Sequence, residues 1–238
     1  ETYRRLEELY YGMEKWTELV ETYRSHIEAT EDPAAKIALL NAMGETYEHQ
    51  IQDVDRAIEC YQEILQLDPD HFDAANTLSR LQEAVEDWFG AVETMARLVE
   101  LNSDANARLD LLTRMGRVHF QKLEDHEQAE LRLNEALTID PGHVPALAVL
   151  AELYKNHYDW LKAARCLENA SESAQNPVQK TNFGAEAGFI YLEELDDKDK
   201  ASELFAKTLA VDPEHAKVGQ VLAGMYFEEQ RFAEADPI

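Results

Sequence analysis

The sequence predicts an all-α solenoid of antiparallel helix pairs, and three observations carry that expectation. Trp16, Trp88 and Trp160 stand 72 residues apart, and the same gap-free register aligns Gly44, Gly116 and Gly188, Ala57, Ala129 and Ala201, and Leu65, Leu137 and Leu209. Apolar residues within each block recur at helical spacing, with no strand-length run of period two. Capping and stop residues repeat in the same slots. A fixed period of this kind marks an architecture in which each unit buries its apolar face only against the next. Residues 1–238 therefore read as a single continuous array of blocks 1–71, 72–143 and 144–215 and a partial repeat, 216–238. Neither end carries a polar capping helix, so the array is expected to be truncated at both ends.

The middle block shows the four helices in order. Leu78, Leu81 and Val85 mark the apolar side of the first, and Trp88, Ala91, Val92, Met95, Leu98 and Val99 define the second. The third carries Leu109, Leu112, Met115 and Phe120, and the fourth Ala129, Leu133, Ala136, Leu137 and Ile139. Asp32, Asp104 and Asn176 each precede a helix, with Pro33 and Pro177 at the first helical position, where a missing N–H costs nothing. Asp53, Asp125 and Asp197 occupy the cap slot of the fourth helices, and Asp87 and Asp159 stand just before Trp88 and Trp160. Asp68-Pro69, Asp140-Pro141 and Asp212-Pro213 end the blocks, because proline disfavours α geometry in the residue before it. The tryptophans have apolar i, i+3 and i+4 partners and read as core, with truncation to alanine expected to cost about 3–5 kcal/mol.

Gly44-Glu-Thr-Tyr47, Ala57-Ile-Glu-Cys-Tyr61 and Leu65-Gln-Leu-Asp68-Pro69 resemble the tetratricopeptide repeat, a helix–turn–helix unit of about 34 residues. The resemblance covers the whole chain in about six and a half repeats. Three are of a glycine type and three of a tryptophan type. The latter place Glu7, Ser79 and Ala151 in the glycine slot, as the partial repeat places Ala223. That seventh repeat keeps Leu222, Tyr226 and, in the tryptophan slot, Phe232. The resemblance implies a right-handed α-α superhelix whose first helices line a concave groove for an extended peptide.

Composition narrows the partners. With 48 acidic against 22 basic residues, the net charge is −26. Nucleic acids and anionic membranes recruit Lys and Arg, so neither is an expected partner, and an RNA-binding helical repeat ranks low for the same reason. No apolar run is long enough to span a bilayer. Cys60 and Cys166 fall in different slots, too far apart for a disulfide, which fits a reducing, cytoplasmic setting.

No catalytic constellation or cofactor motif is present. His71, His143 and His215 share a slot after Asp-Pro but are two repeats apart, too distant for one metal ion. They read as helix-start residues, and His119, in the slot of Tyr47 and Tyr191, as a packing residue. Asp196, Asp197 and Asp199 lack the glycine and distant glutamate of a calcium loop. No GxxxxGK[ST], GxGxxG or GxSxG occurs, so no enzyme activity and no cofactor are expected.

The groove remains. One inward slot runs Glu8, Glu45, Arg80, Arg117, Glu152, Phe189 and Gly224, and adjacent slots add Asn76, Thr113, Arg114 and Phe120. Asn76, Arg80, Thr113, Arg114, Arg117, Phe120 and Phe189 are the candidate partner-binding residues. Arg80, Arg114 and Arg117 would suit an acidic or carboxylate-ended peptide, unless Glu45 and Glu152 in the same row pair with them across repeats. The carboxylate clamp that the family uses for chaperone tails needs a lysine that this chain lacks beside Asn76. The expected function is a noncatalytic scaffold for a protein or peptide. The alternative is a regulatory or substrate-docking segment of a larger enzyme or signalling protein. Bare array ends would also favour end-to-end self-association as an artefact of truncation.

Overall fold

The structure, a computed structural model, describes residues 2–228 with 230 and 231. Phe232 and the chain to Ile238 lie outside the described residues. Among the described residues there are thirteen α-helices and no strand: α1 (Thr2–Gly12), α2 (Trp16–Ala29), α3 (Pro33–Thr46), α4 (Val54–Leu67), α5 (Phe72–Ala84), α6 (Trp88–Leu101), α7 (Ala105–Gln121), α8 (His126–Ile139), α9 (Val144–Asn156), α10 (Trp160–Ser173), α11 (Pro177–Glu193), α12 (Lys198–Val211) and α13 (Ala216–Glu228). A π-helical turn, Tyr47–Ile51, follows α3. The fold is the all-α, tetratricopeptide-like solenoid that the sequence predicts.

The chain divides into two compact units, residues 1–111 and 112–238, with the division inside α7. In the first unit each helix from α1 to α6 packs on its neighbours in sequence, and the same holds from α8 to α13 in the second. Leu40, Met43, Tyr47, Tyr61, Ile64, Leu78 and Leu81 share one core cluster in the first. Leu133, Leu147, Leu150, Leu153 and Phe205 are among the fully enclosed side chains of the second.

The glycine slot is a place where paired helices come close. A Cβ at Gly44 would sit 3.1 Å from the Tyr61 ring, one at Gly116 would sit 2.5 Å from Leu133 Cγ, and one at Gly188 would sit 2.5 Å from Phe205 Cε1. The opposing Ala57, Ala129 and Ala201 are wholly buried. Ser79 and Ala151, which hold the slot in tryptophan-type repeats, are buried too.

Caps set the helix starts. Asp53, Asp87, Asp125, Asp159 and Asp197 accept hydrogen bonds from the backbone N–H of Arg56, Gly90, Gln128, Lys162 and Lys200. Asp32, Asp104 and Asn176 cap α3, α7 and α11 through the N–H of Ala34, Asn106 and Val178. His71 and His215 cap α5 and α13 with Nδ1, which accepts from Ala74 N–H at 3.2 Å and Val218 N–H at 3.4 Å. The histidine slot thus serves the backbone. His143 makes no such bond, and proline follows it in the first turn of α9.

Turns inside the pairs close through one left-handed residue each: Glu14, Gln52, Glu86, Glu124, Tyr158, Asp196 and Gln230, with φ of 52–61° and no glycine among them. In tryptophan-type pairs the N–H after that residue returns to a carbonyl five positions back, as from Asp87 to Gln82 and from Asp159 to Tyr154. In glycine-type pairs it returns six back, as from Asp53 to Tyr47, Asp125 to His119 and Asp197 to Tyr191. The pair types differ in length mainly through their first helices, 17 residues in α7 and α11 against 13 in α5 and α9.

Successive pairs are also latched by polar contacts. Tyr154 donates to Glu130 at 2.7 Å and Tyr191 to Glu168 at 2.6 Å, while Lys200 Nζ reaches Glu168 at 3.1 Å. Burial, and then the hydrogen bond to Glu168, hold the Tyr191 phenol protonated, pushing its pKa up to about 12.

The tryptophans differ from the expectation. All three are half-buried rather than enclosed, because each is the first residue of its helix, beside the turn. Trp16 meets Tyr11 edge-on at 5.5 Å and Trp160 meets Tyr158 at 5.8 Å. Val85, expected on the core side, caps α5 and is exposed.

Two stability predictions follow from this packing. Gly188→Ala should cost about 1–3 kcal/mol through overpacking against Phe205, whereas Gly12→Ala, with nothing within 4 Å of its added Cβ, should be neutral or slightly stabilising. Equal midpoints in urea for the two variants would refute the close-approach account. Trp160→Ala should cost about 1–2 kcal/mol, below the value for an enclosed ring, and a loss above about 4 kcal/mol would place the ring in the core after all.

Candidate partner-binding groove

The inward row is exposed to solvent in both units, apart from Phe189. Glu8, Glu45 and Arg80 are exposed in the first unit, and so are Arg117, Glu152 and Gly224 in the second, where Phe189 is half-buried. Of the helices that carry this row, α3, α5, α9, α11 and α13 bury other residues, whereas α1 has none buried.

In the first unit a cleft of ≈ 460 Å³ lies between α3 and α5, lined by Asn41, Glu45, Tyr61, His71 and Thr77 among others. Asn76 and Arg80 project from α5 and are exposed. Arg80 is already engaged: its guanidinium meets Glu48 at 2.5 Å, with the Glu48 side chain only 11% exposed. The in-row partner anticipated for it, Glu45, instead accepts from Asn41 at 2.8 Å.

In the second unit Arg117 is exposed and Arg114 half-exposed. Thr113 and Phe120, both expected to face the groove, are buried at 5% and 9% exposure. Phe120 packs edge-on against His126 at 5.7 Å. Their burial removes them from the surface a partner could touch. Phe189 remains available, with Phe205 at 5.0 Å on one side and Lys217 Nζ 4.0 Å from its ring centroid.

Some of the groups able to do chemistry have partners within the chain. His26 meets Glu7 at 2.7 Å and stacks on Tyr3. Burial pushes the pKa of His119 down, against the nearby Asp125 carboxylate. Among the described residues no three metal-ligating side chains converge. Both cysteines are free. Burial pushes the Cys60 thiol up to about 12, with Glu63 adding to it, and the Cys166 thiol up to about 11, with Asp159 and Glu130 adding. No helix of the described residues is long and apolar enough to cross a membrane.

Stacked helix pairs with open clefts between them define a helical-repeat protein. Tetratricopeptide-repeat models match residues 2–36 and 37–71, so the chain carries tetratricopeptide repeats over its first 71 residues. No curated protein sequence matches it. Among solved structures, a tetratricopeptide-repeat protein from Cytophaga hutchinsonii is similar at 19% identity and a TM-score of 0.59, covering 91% of this chain and 84% of that one. MamA is similar at 20% identity and a TM-score of 0.55, covering 76% and 94%. YrrB, described as a tetratricopeptide-repeat protein with an unusual peptide-binding site, is similar at 20% identity and a TM-score of 0.52, covering 85% and 98%. These likenesses are of fold. The repeats make the chain a protein-interaction module.

The thiols provide a direct check of the site chemistry. In the native protein at neutral pH, Cys60 and Cys166 should alkylate on the order of a hundredfold more slowly than a free thiol, and at the ordinary rate in denaturant. Rapid native labelling of either one would reveal an activated cysteine and refute the burial account of the thiols.

Proposed function

We propose that this chain is a noncatalytic scaffold that holds a protein or peptide partner along the groove lined by the first helices of its pairs. The observation that carries the reading is the row Glu8, Glu45 and Arg80 in one unit and Arg117, Glu152 and Phe189 in the other. These helices keep the row open to solvent, or half open at Phe189, while all but α1 bury residues elsewhere on their surface. Asn76, Arg80, Arg114, Arg117 and Phe189 are the side chains proposed to meet the partner. Affinity would come from a few of these anchors rather than from contact area. The net charge of −26 supports a partner that is neither nucleic acid nor membrane, and the two free thiols fit a cytoplasmic setting.

An acidic peptide gains less from Arg80 than the sequence implies, because its carboxylate must displace Glu48. The exchange of one ion pair for another at the surface is worth about 0–1 kcal/mol. Charge reversal separates the possibilities. With Arg80, Arg114 and Arg117 all changed to glutamate, capture of the natural partner by the full-length protein should fall at least about tenfold if the groove holds it. Undiminished capture with an unchanged salt dependence would place the partner on another face.

A further inference from the structure

The second unit contains a cleft of ≈ 400 Å³ between α11 and α13, lined by Trp160 and by Asn182, Ala185, Glu186, Phe189, Ile190, Glu193, Glu194, His215 and Lys217. Two features set its chemistry. The Phe189 ring already holds a cation, the ammonium of Lys217, 4.0 Å from its centroid, and that lysine is exposed and tied to no carboxylate among the described residues. Around it the lining carries three carboxylates to one lysine. Glu186 is taken by Lys155 at 2.5 Å, whereas Glu193 and Glu194 are exposed and make no ion pair among the described residues.

We infer that this cleft binds an arginine or lysine side chain of a partner protein's extended segment. The incoming cation replaces Lys217 over the Phe189 ring, beside the carboxylates of Glu193 and Glu194. The inference rests on the groove reading and gives this part of the groove a charge preference opposite to that of the arginine row. Lys217 shows that the ring face accepts a cation. A guanidinium is more weakly hydrated than an ammonium and stacks flat on an aromatic face, so arginine is the stronger competitor for the position. An acidic segment would meet like charge from Glu193 and Glu194. The excess negative charge of the chain draws basic segments in and repels acidic ones.

Any basic peptide will adhere weakly to a protein of this charge, so the test must isolate the ring. The probe is a short, end-blocked peptide alternating arginine and serine. Its affinity for the whole chain is measured by calorimetry at about 0.15 M salt, where the diffuse field is largely screened. Lys217→Ala removes the resident cation, and Lys15→Ala makes the same charge change at a surface lysine of the other unit. Lys217→Ala should bind the probe about two- to fivefold more tightly than Lys15→Ala does. Phe189→Leu keeps an apolar contact for Phe205 but loses the π face, and should weaken the probe by a similar factor. If Phe189→Leu fails to fold, the comparison of Lys217→Ala with Lys15→Ala decides alone, since both change exposed side chains.

Equal affinity in the two lysine variants overturns the inference, as does equal binding of a glutamate–serine peptide. Should the lysine variants match while reversal of the arginine row still releases the natural partner, the charge preference fails and the groove reading stands. Should the cleft variants respond while the natural partner ignores the arginine row, that reading's choice of anchors fails instead.

Discussion

The distance between the two helices of a pair governs the rest of this structure. At Gly44, Gly116 and Gly188 the backbone of the first helix lies against a large side chain of the second, Tyr61, Leu133 or Phe205, with no room for a Cβ at the latter two. That contact fixes which face of the first helix is buried within its pair. Packing against the neighbouring pair buries a second face, and the remaining stripe stays exposed. Surface and core are therefore set by one constraint, and the groove is a by-product of how tightly each pair closes.

Much of this can be read without coordinates, and the reasons are specific. The glycine slot, the buried alanines opposite it and the aspartate caps all follow from repetition, since three copies of a residue at one phase leave few structural roles open. The exposed row Glu8, Glu45, Arg80, Arg117, Glu152 and Gly224 follows from helical phase alone. Histidine as an N-cap is harder to foresee, because its acceptor is available only in the neutral ring. The left-handed turn residues are illegible: Glu14, Gln52, Glu86, Glu124, Tyr158 and Asp196 carry none of the glycine signal by which such positions are found. The surrounding caps and packing supply the energy that holds an ordinary residue there.

Departures from expectation in the groove have physical causes too. Thr113 and Phe120 flank Arg117 at positions four before and three after it, about 40° and 60° around the helix in the same sense. Both therefore turn toward the buried side. Asn76 stands at the same offset from Arg80 as Thr113 does from Arg117, yet it is exposed, so helical angle needs the neighbouring helix to become burial. Glu48 stands three residues beyond Glu45, one turn along the same side of the helix, and it meets Arg80 while Glu45 accepts from Asn41.

That exchange bears on what the groove can select. The two cations that most suggest a binding surface, Arg80 and Lys217, are each already occupied within the chain, one by a carboxylate and the other by an aromatic ring. Their occupants differ in what a partner must do to replace them. Displacing Glu48 leaves a carboxylate that is 11% exposed without its counter-charge, a cost that an incoming acid must overcome. Displacing Lys217 returns an exposed ammonium to water and leaves no group stranded. A partner of positive charge therefore enters at lower cost than one of negative charge, even though the arginines are the more conspicuous feature of the row. Selectivity in such a surface is set less by which charges it displays than by which of them the fold has already satisfied.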